Sequence, residues 1–178
     1  MALAATGCPG PTHLFAGVSD RKPLDVERAA ELDKAARAAW AKGERTQATR
    51  LWQDAVVKNH RAPGPYLSLS RAYAVNYVKK GAKPERRKAF CRSGWDVSSK
   101  ALELLAPEFV SRVEEDNQDW GRALAVVQRP AAEALYWYAR YDDCLEPQAG
   151  RKSSAMRQVK ALDASIGKGA SDLWPPAP

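Results

Sequence analysis

The chain has 178 residues, of which 45% are hydrophobic, enough for one domain with a substantial core. Its formal net charge is +7, from 28 Lys and Arg against 21 Asp and Glu. The basic residues are interleaved with acids rather than massed in a stripe, which argues against a nucleic-acid partner. With two histidines, His13 and His60, and three cysteines in no CxxC spacing, a zinc site is not expected, and no apolar stretch approaches membrane-spanning length.

Alanine dominates the apolar fraction, Ile and Phe are scarce, and strong helix formers recur throughout. The few β-branched residues do not alternate over any length. The expectation is an all-α fold.

Residues 1–22 carry Gly, Pro, Thr and Ser without periodicity and read as a flexible tether. Within them Leu3-Ala4-Ala5-Thr6-Gly7-Cys8 resembles a bacterial lipobox, in which the cysteine receives the lipid. A signal peptide also needs a basic region and an apolar stretch of about 7–15 residues. Two readings therefore stand. In one, the numbering begins inside a longer precursor and Cys8 is lipidated. In the other, the match is accidental in Ala-rich sequence. The first places the protein in the periplasm, anchored to a membrane. Without a signal peptide upstream of Met1, the expectation is cytoplasmic. In an oxidising compartment Cys91 and Cys144 become a candidate disulfide pair.

The helical domain is expected over residues 23–172. Pro23 opens it, and Asp25 and Glu27 suit a first turn. Leu32, Ala35, Ala36 and Ala39 recur at helical spacing up to Gly43, a natural stop. A second helix presents Ala48, Leu51, Trp52 and Ala55 on one face and ends near Asn59. Leu32, Ala36, Gly43, Ala48, Trp52 and Ala55 fall in register on the anchors of the tetratricopeptide hairpin, a repeat of about 34 residues. The small anchors let two helices cross closely, and the tryptophan fills the gap to the next hairpin.

A second unit follows the Ala62-Pro63-Gly64-Pro65 breaker, with Tyr66, Leu69, Ser70 and Tyr73 on its first helix. The connection runs through Lys79-Lys80-Gly81-Ala82-Lys83-Pro84, and the next helix spans roughly 85–105. There Gly94, Ser98 and Ala101 share a face, and Pro107 ends the helix. The clusters Lys79-Lys80 and Arg86-Arg87-Lys88 are short and read as solvated helix ends. Residues 108–129 look like a partly helical insertion. A third unit starts at Arg129-Pro130 and carries Ala134, Trp137, Tyr138 and Tyr141, then Ala155, Val159 and Leu162. It lacks an obvious polar capping helix, so the Pro-rich tail at 173–178 or another chain is expected to cover it.

The densest aromatic stretch is Tyr136-Trp137-Tyr138 with Tyr141. Consecutive helical positions lie about 100° apart, so not all three neighbours are expected in one core face. At least one should face a groove or a neighbouring chain. Tyr73, Trp95, Tyr136, Trp137, Tyr138, Tyr141 and Arg140 are the candidate groove residues, although core packing is the better reading for any single aromatic. Glu133 and Arg140 either fix a ligand carboxylate or amide, or lie on a solvated face. Asp142-Asp143 beside Cys144 has no metal-ligand spacing. No GxSxG, HExxH or phosphate-binding glycine loop occurs, so no enzyme, metal or cofactor is expected.

The segment Ala134-Leu135-Tyr136-Trp137-Tyr138-Ala139, followed by Met156-Arg157-Gln158-Val159-Lys160-Ala161-Leu162-Asp163, resembles the T component associated with TRAP transporters. The likeness extends over about residues 25–172. It implies a periplasmic lipoprotein of degenerate tetratricopeptide-like hairpins. It also implies a non-enzymatic accessory that binds a periplasmic solute-binding protein and helps deliver an apolar or organic-acid ligand. Members form ring-like trimers, and they continue through further helices beyond the position equivalent to Trp174. The expected function is a lipid-anchored scaffold presenting a concave aromatic groove. The alternatives are a generic tetratricopeptide adaptor and an envelope structural subunit that assembles on itself.

Overall fold

The computed structural model describes residues 23–77, 83–115, 120–146 and 150–166. The expected tether with Cys8, the Lys79-Lys80 pair and the Pro-rich tail lie outside these residues. Within them the chain forms eight α-helices and no strand, as the composition requires.

Helix α1 (Val26–Ala41) starts where the sequence places a first turn. Asp25 accepts a hydrogen bond from the backbone N–H of Arg28 at 3.1 Å, satisfying a donor that the helix itself cannot. Ala29, Leu32, Ala36 and Ala39 form its buried stripe. Gly43 ends it with φ +82°, and a Cβ there would meet open space. The backbone conformation, not crowding, calls for glycine.

Helix α2 (Arg45–Lys58) returns along α1 and buries Ala48, Trp52, Ala55 and Val56. Ala36, Ala48 and Ala55 have no exposed surface, so the two backbones approach closely. The Trp52 ring lies 5.4 Å from that of Trp40, and its indole N–H donates to Asp33 at 2.9 Å.

Helix α3 (Pro63–Tyr77) corrects one expectation. The Pro63-Gly64-Pro65 breaker is the helix's own first turn, where proline costs nothing because those N–H groups have no intrahelical partner. Helix α4 (Pro84–Leu105) likewise opens on proline and buries Cys91, Gly94, Val97, Ser98, Ala101 and Leu102. The insertion forms α5 (Pro107–Glu115) and the short α6 (Trp120–Ala125). A 3-10 turn over Arg129–Ala131 leads into α7 (Ala132–Leu145), and α8 (Arg151–Leu162) completes the described chain.

Packing follows chain order. α1 lies chiefly on α2, α2 also meets α3, and α3 pairs with α4. α4 then packs on α7, and α7 on α8, while α5 and α6 bridge from α4 toward α8. One covalent tie crosses this arrangement. Cys91 on α4 and Cys144 on α7 form a disulfide with Cα atoms 6.2 Å apart and a sequence separation of 53. Closing a loop of that length removes about 4 kcal/mol of unfolded-chain entropy on the chain-entropy model.

Candidate functional site

The residues expected to build a groove converge on α7, and they build the core instead. On α4, Gly94 leaves room for the ring of Tyr141, which occupies the space where a Cβ would stand. The Tyr141 hydroxyl donates to the Ser70 carbonyl of α3 at 2.5 Å. Burial pushes that hydroxyl well above the usual tyrosine range. One turn earlier, Trp137 packs 6.2 Å from Tyr141 and donates its indole N–H to Glu133 at 3.2 Å. Glu133 in turn holds the Arg71 guanidinium of α3 in a two-pronged pair at 2.7 and 2.8 Å. The acid is therefore a brace between helices 62 residues apart in sequence.

On another side of α7, Tyr138 meets Trp95 of α4 at 5.7 Å, Phe109 of α5 at 5.9 Å and Trp120 of α6 at 6.1 Å between ring centroids. Phe109 and Trp120 touch edge to face at 5.5 Å. Trp120 donates its N–H to the Arg151 carbonyl at 3.1 Å, which ties the insertion to α8. Tyr136 meets Trp137 edge to face at 5.0 Å, with the Arg140 guanidinium 5.3 Å from its ring centre. Tyr73 on α3 lies 6.5 Å from Phe90 and accepts a hydrogen bond from Gln53 at 3.1 Å. Burial pushes its hydroxyl up to about 12, partly offset by that hydrogen bond.

The expectation of an open aromatic groove is thus corrected. Tyr73, Tyr136, Trp137, Tyr138 and Tyr141 are all buried, the most exposed of them at 8%. The physical reason is the number of neighbours around α7. Helices α3, α4 and α8 and the α5–α6 insertion approach it from different sides. Residues 100° apart can then all find apolar contacts. Only Trp95 and Arg140 of the expected groove set are half-buried, at the edge of this seam.

Two half-buried carboxylates flank Trp95. Burial raises Asp96 above the usual carboxylate range, and Arg92 at 3.5 Å opposes that rise. Burial also raises Asp142, against the pull of Arg151 and a hydrogen bond from the Trp95 side chain. Asp143 pairs with Lys152 of α8 at 2.6 Å. Asp142 and Asp143 thus link α7 to its neighbours, while Asp96 pairs within α4. Among the described residues, no group of three or more His, Cys, Asp or Glu side chains could hold a metal ion.

Sequence spacing alone left the Cys91–Cys144 bond open and missed the Arg71–Glu133 pair and the part of Phe109 in covering Tyr138. The amphipathic pattern of Phe109, Val110 and Val113 on α5 was the available signal. An open depression of about 570 Å³ lies at residues 23–27 against Val57 and Lys58, beside the exposed apolar side chains Leu24, Val26 and Val57. No helix among the described residues is long and apolar enough to cross a membrane. In comparisons with known proteins, the chain matches no family model and no curated protein.

Proposed function

We propose that this protein is a non-enzymatic scaffold of stacked helical hairpins that works in the periplasm by contact with a partner protein, in the manner of the T component of TRAP transporters. The observation that carries this reading is the packing order of the helices. Each hairpin rests mainly on its neighbour in sequence, as in tetratricopeptide-like stacks. The first hairpin adds detail. Leu32, Ala36, Ala48, Trp52 and Ala55 are buried and Gly43 turns the chain with positive φ, which is what the repeat template asks of those anchors. Such a body exposes much surface for its size, and that surface is its means of action.

The Cys91–Cys144 disulfide supports the compartment, because such bonds persist in oxidising surroundings and are rare in a reducing cytosol. With the aromatic seam in the core, contact falls to the outer helix faces. The test is purification of the tagged protein from periplasmic extract without reductant. Thiol alkylation would be read on Cys91 and Cys144, and mass spectrometry would read co-purified proteins. Protected cysteines with a co-purifying solute-binding protein are expected. Free thiols in the cell, with the chain recovered alone, would sink the reading.

A further inference from the structure

Among the described residues, the large apolar side chains left exposed are Leu24, Val26 and Val57, at 36, 57 and 37%. All three line the depression between the first turn of α1 and the last turn of α2. Scattered singly they would call for no explanation, but grouped around one concavity they mark a contact surface. The two walls are held together, because the Asp25 backbone N–H donates to the Lys58 carbonyl at 2.9 Å. α1 packs chiefly on α2, and only these two helices and the residues leading into α1 line the depression.

The charges around this apolar centre are divided between the walls. The α1 wall carries Glu27 and the α2 wall carries Lys58, both exposed. Nearby groups are already engaged. Asp25 accepts from the Arg28 N–H, and the Arg28 side chain pairs with Glu31. Glu27 and Lys58 meet no opposite charge among the described residues.

A surface with an apolar centre, an acid on one wall and a base on the other is complementary to itself after a half-turn. In a two-fold pair every contact occurs twice. Glu27 of each copy then meets Lys58 of the other, while the apolar side chains close on their equivalents across the axis. A partner of a single charge sign, or an anionic lipid surface, meets repulsion from one wall. We propose that this depression is the contact surface of a two-fold homodimer, covered by the first hairpin of a second copy of the chain. The patch is smaller than a standard interface of roughly 20–30 residues a side, so the pair forms reversibly with concentration. The inference stands apart from the scaffold reading above.

The test is sedimentation equilibrium of the full chain over a range of concentrations, with the variants E27K, K58E and V26S/V57S. These side chains are exposed, so circular dichroism should report an unchanged fold. E27K makes both walls basic and K58E makes both acidic, and each alone should weaken the dimer at least about tenfold. An equal mixture of the two should associate as strongly as the wild type, because a basic pair of walls then faces an acidic pair. V26S/V57S should lose association by removing the apolar centre. Hydroxyl-radical labelling of Leu24, Val26 and Val57 should fall as the wild-type concentration rises. A chain that stays monomeric at every concentration, a trimer, or E27K and K58E that fail to recover association on mixing would overturn the proposal. So would protection of the three side chains at every concentration, which would place another segment of the same chain over the depression. None of these readouts depends on export or on a transporter, so failure here is distinguishable from failure of the scaffold reading.

Discussion

The ring of Tyr141 on α7 lies in the space a side chain at Gly94 on α4 would occupy. The two helices meet at that point with nothing between backbone and ring. The ring cannot swing aside freely, because its hydroxyl is tied to the Ser70 carbonyl on α3. Three helices are thus fixed by one glycine and one tyrosine.

Gly94→Ala should therefore destabilise the protein although alanine favours a helix by about 1 kcal/mol. Overpacking a filled core costs about 1–3 kcal/mol, and here the clash is with a fixed ring. Thermal unfolding of the variant should show a clear fall in Tm. An unchanged or higher Tm would show that α7 moves away at little cost.

The Cys91–Cys144 bond should contribute about 4 kcal/mol by limiting the unfolded chain. Urea unfolding of the wild type with and without reductant measures it. The Cys91→Ser, Cys144→Ser double variant should match the reduced wild type and ignore reductant. If reductant leaves the wild-type midpoint in place, the bond adds nothing to the helix packing.

Tyr73 and Tyr141 predict alkaline unfolding. Both hydroxyls are raised by burial, Tyr73 to about 12 from 10.0. The unfolded tyrosine loses its proton first, so above pH 10 the unfolded state binds fewer protons than the native one. Stability then falls as pH rises. The contribution is fully present below pH 10 and is lost between 10 and about 12, worth about 3 kcal/mol for a shift of that size. Denaturant midpoints from pH 8 to 12 should be level and then drop, and Tyr73→Phe should flatten the drop. A Tyr73→Phe profile identical to wild type would contradict this.

Trp137 and Trp95 should separate core from edge. Trp137 is 1% exposed, and Trp137→Ala should cost about 3–5 kcal/mol. Trp95 is half-buried, so Trp95→Ala should cost less. Comparable losses by chemical denaturation would place both in the interior. The same result makes Trp137→Ala a poor probe of partner binding, since it removes structure and contact together.

The first hairpin was legible because its signal is local. Ala36, Ala48 and Ala55 are small where two neighbouring helices cross, and Gly43 sits at the only turn between them. The buried state of Tyr136, Trp137 and Tyr138 was not legible, because it depends on how many distant helices surround α7. Phe109 and Trp120, from an insertion read only as partly helical, supply the cover for Tyr138. The prolines at 63 and 65 show a related limit. Proline marks a boundary, and sequence alone does not say whether a helix stops there or starts.

The disulfide also governs what happens when the chain is cut. A single break anywhere between residues 92 and 143 leaves the two fragments covalently joined through Cys91 and Cys144. The α5–α6 insertion can therefore be opened by a protease while the α3–α4 and α7–α8 hairpins remain one molecule. Nicked protein would travel as a single band on a non-reducing gel and separate into two only after reduction.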